Sequence, residues 1–378
     1  MIEVPNEGLL NAEEHTVKGR LVALVGPDQV EIHEYDLPEL PPGAVLLKVR
    51  RANVCGSDLH IWHFLSVAMR DVAMGHEFVA EIAELGPGVT TDSAGQPVSV
   101  GDRVAAVYYH TCLKCPACGR GDFAMCHNSG RNMGLPPTTP PHFNGGFATH
   151  YYVSPGQFFY KVPDRVSDAA AAGANCGLAQ MLYSIDKLGI RRGQSVVVQG
   201  AGGLGLYAAA VASTCGARVI VVEKEPVRIA LAREFGAQHV VDISDFPTVE
   251  SRTARILELT QGIGADAVIE VTGRPSAFTE AIDYARIGAS IASIGNLNIG
   301  KDFEVSFAPA LITRKQVTIV GILRYDPWYL KEALNFLDEY REDFPFDDLS
   351  DRVFRMDEIT EALELSEARV VSRAAIIP

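Results

Sequence analysis

Short apolar runs broken by Gly and Pro fill the first third of the chain, and apolar β-branched runs alternating with helix-compatible stretches fill the middle. Over residues 19–107 the breaks fall at Pro41-Pro42-Gly43, Gly86-Pro87-Gly88 and Gly101-Asp102. Strands punctuated this way predict a compact, mostly antiparallel β domain. From residue 195 the pattern changes. An apolar run beginning at Ser195 ends in Gly200-x-Gly202-x-x-Gly205, an alanine-rich helical stretch runs to Ala212, and a second apolar run closes on Glu223. The alternation then continues, with helices predicted over 228–236, 252–261 and 277–286 and strands over 240–242, 265–271, 290–295 and 317–321. About six such strands predict an α/β, doubly wound parallel sheet of the Rossmann type. The tail predicts one helix over 329–340, a short helix after Asp357 and a final strand over 373–377 that returns to the first domain. The domain division is therefore 1–177, 178–322 and 323–378.

The glycine-rich unit has a specific chemistry. Gly200 supplies a tight turn, Gly202 lets backbone approach a pyrophosphate, and Gly205 lets the helix pack on its strand. Gly203 and Leu204 open that helix, whose N-terminal amides face the phosphates. Glu223, ending the second strand, accepts from both hydroxyls of an adenosine ribose and repels a 2′-phosphate, which favours NAD over NADP. Lys224, Arg228 and Gly295 complete the candidate cofactor set.

Composition narrows the partners. A chain of 378 residues exceeds the usual size of a single core, and 47% hydrophobic with 21% charged residues is a soluble globular composition. A net charge of −14 opposes a nucleic-acid role. Residues 1–20 carry Glu3, Glu7, Glu13 and Glu14 without an apolar core, so they read as neither a signal nor a transit peptide. No stretch of about 18 uninterrupted apolar residues marks a membrane span. These features predict a cytoplasmic protein. Of seven cysteines, four fall between Cys112 and Cys126, a pattern of metal ligands in a reducing compartment. Cys215 has no motif partner and is expected to be a buried small hydrophobe.

Three loops carry the remaining candidate chemistry: Cys55-Gly-Ser-Asp-Leu-His60, Gly75-His-Glu77 and Asn175-Cys-Gly177. Two thiolates and an imidazole, from Cys55, Cys176 and His76, form the three-ligand pattern that leaves a catalytic zinc one open position. Cys112-x-x-Cys115-x-x-Cys118 followed by Cys126 folds four thiolates into one tetrahedron, a closed structural zinc, with an iron–sulfur cluster as the other reading of the spacing.

Taken in order, these motifs resemble the medium-chain, zinc-dependent alcohol dehydrogenases, and the resemblance runs from about Gly19 to the C-terminus. It implies a mostly β GroES-like catalytic domain carrying the four-cysteine lobe, a Rossmann domain, and two zinc ions per chain, one catalytic and one structural. By the same resemblance Glu77 matches a position that can approach or transiently bind the catalytic metal, and Asp58 matches a carboxylate that orients the ligand histidine; the alternative for Asp58 is a turn residue capping its own backbone. Removing hydride from an alcohol is easier once the hydroxyl proton has left, and a Lewis-acidic zinc promotes that loss. Ser57 and His60 resemble the relay that carries the proton out, His60 having a useful titration range, with a merely packed surface or core histidine as the alternative. One departure stands out: many relatives carry threonine four residues past the third ligand, where this chain has Gln180.

Substrate clues are fewer. Trp62, Phe64 and Tyr108 match cleft-lining positions, with core packing as the alternative, and Ile294, Asn296 and Leu297 can close the cleft. Aromatic walls with few charges suggest an apolar or cyclic secondary alcohol. A cysteine at position 176 leans away from polyol and threonine dehydrogenases, which remain the alternative of the same mechanism. A non-catalytic binding or structural relative is the reading from a different class. The expected partners are a small alcohol or ketone and, by family likeness, copies of the chain itself, a tetramer before a dimer.

Overall fold

The computed structural model describes residues 17–64, 71–130, 134–371 and 373–378. The acidic stretch before residue 17 lies outside them.

Strands β1 (Lys18–Gly26) and β2 (Gln29–Asp36) pair as an antiparallel ribbon. The chain then lays down β3 (Val45–Asn53), helix α1 (Gly56–Trp62), β4 (Glu77–Leu85), β5 (Arg103–Ala106), the short helix α2 (Pro116–Gly119), β6 (His150–Val153) and β7 (Phe159–Lys161). β4 runs antiparallel to both β3 and β5. Its side chains alternate between two cores, as the period of a strand requires. Phe78, Ala80 and Ile82 join Val45, Leu47 and Val49 inside this β unit, whereas Val79 points the other way into a cluster shared with the following helices.

Residues 168–189 predict one helical region, and the structure divides it into three: α3 (Asp168–Ala171), a π-type turn (Ala174–Leu178) and α4 (Ala179–Leu188). In the π turn the Leu178 amide donates to the Gly173 carbonyl at 3.4 Å. Its widened backbone rests on Tyr207, so a Cβ at Gly177 would lie 2.9 Å from that ring. There follow β8 (Ser195–Gln199), α5 (Gly203–Thr214), β9 (Arg218–Glu223), α6 (Pro226–Glu234), β10 (His239–Asp242), α7 (Val249–Leu259), β11 (Ala265–Glu270), α8 (Pro275–Tyr284), β12 (Ala285–Ser293), α9 (Ala310–Lys315) and β13 (Thr318–Gly321). The six strands lie in the order β10-β9-β8-β11-β12-β13, all parallel. A dinucleotide crevice belongs beside β8, where the strand order reverses.

β12 begins five residues before its predicted start, because Lys315 Nζ draws in the carbonyls of Ile282, Asp283 and Ala285 and ends α8 there. Cys215 is a correction: it is exposed rather than buried, since the enclosed face of α5 ends at Ala212 and Cys215 caps the helix. Helix α10 (Tyr329–Glu339) packs into the shared core with α4 and α5. The described chain closes with β14 (Arg352–Arg355), α11 (Ile359–Glu367) and β15 (Ala374–Ile377); β15 is antiparallel to β3, so two strands from the far end of the sequence complete the sheet of the first domain.

Candidate active site

Cys55 ends the extended segment after β3 and caps α1, His76 precedes β4, and Cys176 sits in the π turn. Together with a Glu77 carboxylate oxygen, their ligand atoms all lie within 4.8 Å of one another. His76 Nε2 is 3.4 Å from Cys176 Sγ and 3.5 Å from Ser57 Oγ. Asp58, fully buried, does two jobs that the sequence presented as alternatives: Oδ2 accepts the Cys55 amide at 2.8 Å, and Oδ1 meets His76 Nδ1 at 3.1 Å. The second contact leaves Nε2 facing the sulfurs, as a ligand histidine requires.

Charge is divided within the cluster. The hydrogen bond from Cys176, helped by His76, holds Cys55 well below the usual thiol range, while that same bond and burial push Cys176 up. Burial opposes charge on His76, yet Asp58 and then Cys55 outweigh it and raise the imidazole. Two sulfurs and an imidazole from three distant segments are the donor set of a catalytic zinc, and these residues fit that ion.

The second cluster lies around α2. Cys112, Cys115, Cys118 and Cys126 bring four Sγ atoms within 4.8 Å of one another. Cys115 Sγ is 3.5 Å from Cys118 Sγ and 4.0 Å from Cys126 Sγ. A tetrahedron of zinc–sulfur bonds has sulfur–sulfur edges of about 3.8 Å, which these values bracket. The Lys114 amide and the Asn128 side chain bring Cys112 down to about 5, and burial takes Cys118 up to about 12.

Around the glycine loop, Gly200 has φ +94 and a Cβ at Gly205 would meet the Gly200 carbonyl oxygen at 1.9 Å, so neither position admits a side chain. Gly202 faces open space, and Gly203 and Leu204 begin α5. Glu223 closes the turn itself: Oε2 accepts from the Ala201 amide at 2.8 Å, and Oε1 from the amides of Lys224 at 2.7 Å and Glu225 at 3.1 Å. Arg228 is half-buried in the first turns of α6. Gly295 abuts the neighbouring loop so closely that a Cβ would lie 2.4 Å from the Gly273 amide.

Trp62 falls on its core alternative, buried on the inward face of α1 among the apolar residues of the β unit, while Phe64, past the end of α1 at φ +56, is half-buried and packs against the same cluster. Asn296 donates to the buried Glu270 carboxylate at 2.8 Å and so serves the loop junction of the parallel sheet. Ile294 is buried and Leu297 is exposed. Tyr108 stands at the site, its ring centroid 5.1 Å from that of His76. A pocket beside them is lined by Ile61, Met74, Tyr108, Asn144 and Tyr151. Gln180 is buried and donates to the Ile322 carbonyl at 3.3 Å.

Three residues escaped the sequence reading. Asn175 donates to the carbonyls of His76 at 2.9 Å and Ala106 at 3.0 Å, stapling the Cys176 turn to β4 and β5. Its position beside Cys176 was the available signal. Tyr325 donates its hydroxyl to the Asn175 carbonyl. Arg373 donates through Nη2 to Glu77, while its buried Nη1 has no hydrogen-bond partner and lies 3.0 Å from where a Cβ on Gly203 would stand. An orphaned guanidinium donor beside the glycine loop fits a pyrophosphate.

Comparison with known proteins agrees with this arrangement. Residues 41–164 match the alcohol dehydrogenase GroES-like domain and residues 203–339 the zinc-binding dehydrogenase family. The 5-exo-hydroxycamphor dehydrogenase of Pseudomonas putida is 31% identical over 360 residues, covering 94% of this chain and 98% of its own. The sorbitol dehydrogenase of Halalkalibacterium halodurans is 34% identical over 308 residues, covering 80% and 83%. Among solved structures, an alcohol dehydrogenase from Thermotoga maritima superposes with a TM-score of 0.88 at 26% identity, covering 96% of this chain and 100% of that one. The chain belongs to the medium-chain, zinc-dependent alcohol dehydrogenases. It is an oxidoreductase of that family, with the GroES-like and Rossmann-type folds.

Proposed function

We propose that this chain is an NAD-linked alcohol dehydrogenase with two zinc sites, reversibly oxidising an apolar or cyclic secondary alcohol to its ketone. The observation that carries the reading is the convergence of Cys55, His76 and Cys176 from three separate segments. Those residues hold the catalytic zinc, and Cys112, Cys115, Cys118 and Cys126 hold the structural one. When bound, zinc supplies Lewis acidity to a substrate hydroxyl and the nicotinamide supplies the hydride acceptor. Asp58 fixes the His76 ring through Nδ1. Ser57 Oγ, beside His76, receives the hydroxyl proton, and His60, one helical turn along α1, passes it toward solvent. Burial lowers the His60 pKa against the pull of Cys55, keeping the ring neutral and able to accept. Glu77 anchors Arg373, whose Nη1 beside the glycine loop serves the pyrophosphate; Glu223 serves the ribose.

The apolar substrate class is supported by the Tyr108 ring beside His76 and by the hydroxycamphor-named relative, hydroxycamphor being a cyclic secondary alcohol. Likeness to a sorbitol dehydrogenase favours the polyol reading as the second. Self-association into a homo-oligomer, a tetramer before a dimer, is supported by β13, which pairs on one side only among the described residues, and by exposed Leu323 nearby. A cytoplasmic setting follows from thiolate ligands that need a reducing compartment; among the described residues no helix is long and apolar enough to cross a membrane.

A steady-state screen of cyclic alcohols, sorbitol and L-threonine, with NAD or NADP and absorbance of the reduced cofactor as readout, tests the proposal. Turnover of cyclic alcohols with NAD supports it. Exclusive turnover of sorbitol or threonine transfers the function to the second reading.

A further inference from the structure

Asn298 lies in the segment between β12 and β13, on the parallel-sheet side of the cleft, and its Nδ2 stands 3.0 Å from Nδ1 of His60 on α1, 238 positions away in sequence. We infer that Asn298 is a positioning residue for His60, holding the ring that carries the substrate proton outward; the inference rests on the relay proposed above.

The polarity of the bond follows from the amide orientation and the ring tautomer. An amide NH₂ only donates, so while it faces the ring Nδ1 is the lone-pair nitrogen and the ring hydrogen sits on Nε2. Rotating the amide about χ2 presents Oδ1 instead, which accepts from Nδ1–H. The amide's two ends are nearly isosteric, so both arrangements are open to the same side chain. Asn298 thus has a partner for either protonation state of Nδ1. An aspartate at this position accepts only, and a leucine of similar size does neither.

A single hydrogen bond positions a ring only if its other end is fixed, and here the root of the segment is. Asn296, two residues earlier, donates to Glu270 Oε2 at 2.8 Å. The other oxygen of that fully buried carboxylate accepts from the Thr272 amide and hydroxyl, each at 2.7 Å, and from the Gly273 amide at 3.2 Å. Gly295 is pressed against the same loop. The segment therefore leaves β12 from a buried, hydrogen-bonded base. His60 in turn sits one helical turn from Ser57, so both face the same side of α1.

The test compares Asn298→Leu, Asn298→Asp, His60→Leu and the Asn298→Leu/His60→Leu double variant, as zinc-loaded enzymes with saturating NAD. Each is assayed at its own pH optimum, with NADH affinity measured separately by fluorescence titration. A hydrogen bond of this kind is worth about 0.5–1.5 kcal/mol, so Asn298→Leu should lower kcat about 2- to 13-fold while leaving NADH affinity and KM nearly unchanged. Asn298→Asp, which accepts but cannot donate and whose charge favours the protonated ring, should recover only part of the rate and move the kcat–pH profile upward, and Asn298→Leu should have no further effect once His60 is already leucine. An unchanged kcat in Asn298→Leu, or an equal loss in the His60→Leu background, overturns the positioning role and leaves the relay standing. A His60→Leu enzyme with the native rate instead sinks the relay itself.

Discussion

Arg373 and Glu77 are 296 residues apart in sequence, yet the guanidinium Nη2 of one donates to the carboxylate Oε2 of the other and both side chains are buried. Burial pushes Glu77 up to about 8 despite the pull of Arg373, and the pair stands between the Cys55/His76/Cys176 cluster and the glycine loop. Removing Arg373 leaves the buried Glu77 carboxyl without its donor, which typically costs about 1–3 kcal/mol. Arg373→Ala should therefore lower the thermal midpoint sharply and also raise KM for NAD, the two readouts being calorimetry and initial rates. The Arg373→Ala/Glu77→Gln double variant should recover stability but not cofactor affinity. Recovery of both would remove Arg373 from the cofactor site.

The two cysteine clusters should respond differently to loss of one sulfur. Cys55→Ala should abolish turnover and reduce metal content from two zinc to one per chain, with the fold retained by circular dichroism. Cys115→Ala should instead destabilise the protein, since the free energy of a closed zinc site is folding energy. Metal analysis alongside melting curves checks both, and an active Cys55→Ala enzyme would show that the metal assignment is wrong.

Glu223 ties three backbone amides to its carboxylate, so its loss should be felt twice. Glu223→Ala should raise NADP use relative to NAD, and it should destabilise the loop by about 1–3 kcal/mol for donors left unpaired. Glu223→Gln keeps an acceptor without the charge, and should shift cofactor preference with a smaller stability loss. The ratio of kcat/KM values for the two cofactors decides.

His63 lies between Asp28 and Glu367, which join the β1–β2 turn and the end of α11 to the C-terminus of α1. Burial works against its charge, but the two carboxylates prevail and the imidazole pKa is raised. A folded-state value above the unfolded one, near 6.5, gives stability that is complete below about pH 6 and lost as pH rises through the folded value. The melting-temperature gap between wild type and His63→Leu should therefore be widest in mildly acidic buffer, while both carboxylates stay ionised, and narrow in alkaline buffer. A gap independent of pH would deny the ion-pair role.

The sequence alone determined what is local in chain position. The glycine spacing with an acid closing the second strand, the four cysteines of one short lobe, and the Cys55, His76 and Cys176 motifs are read from neighbours, since turn geometry and metal-ligand spacing act over a few residues. The alternation of strand and helix likewise predicts the parallel sheet. Tertiary structure decided what depends on facing direction and on distant partners. Trp62 turned inward with α1, and Cys215 turned outward where the buried face of α5 ends. Asp58 serves cap and imidazole at once. Arg373, Asn175 and Asn298 reach the site only because strands and loops far apart in sequence are packed together, and residue spacing carries no record of such contacts.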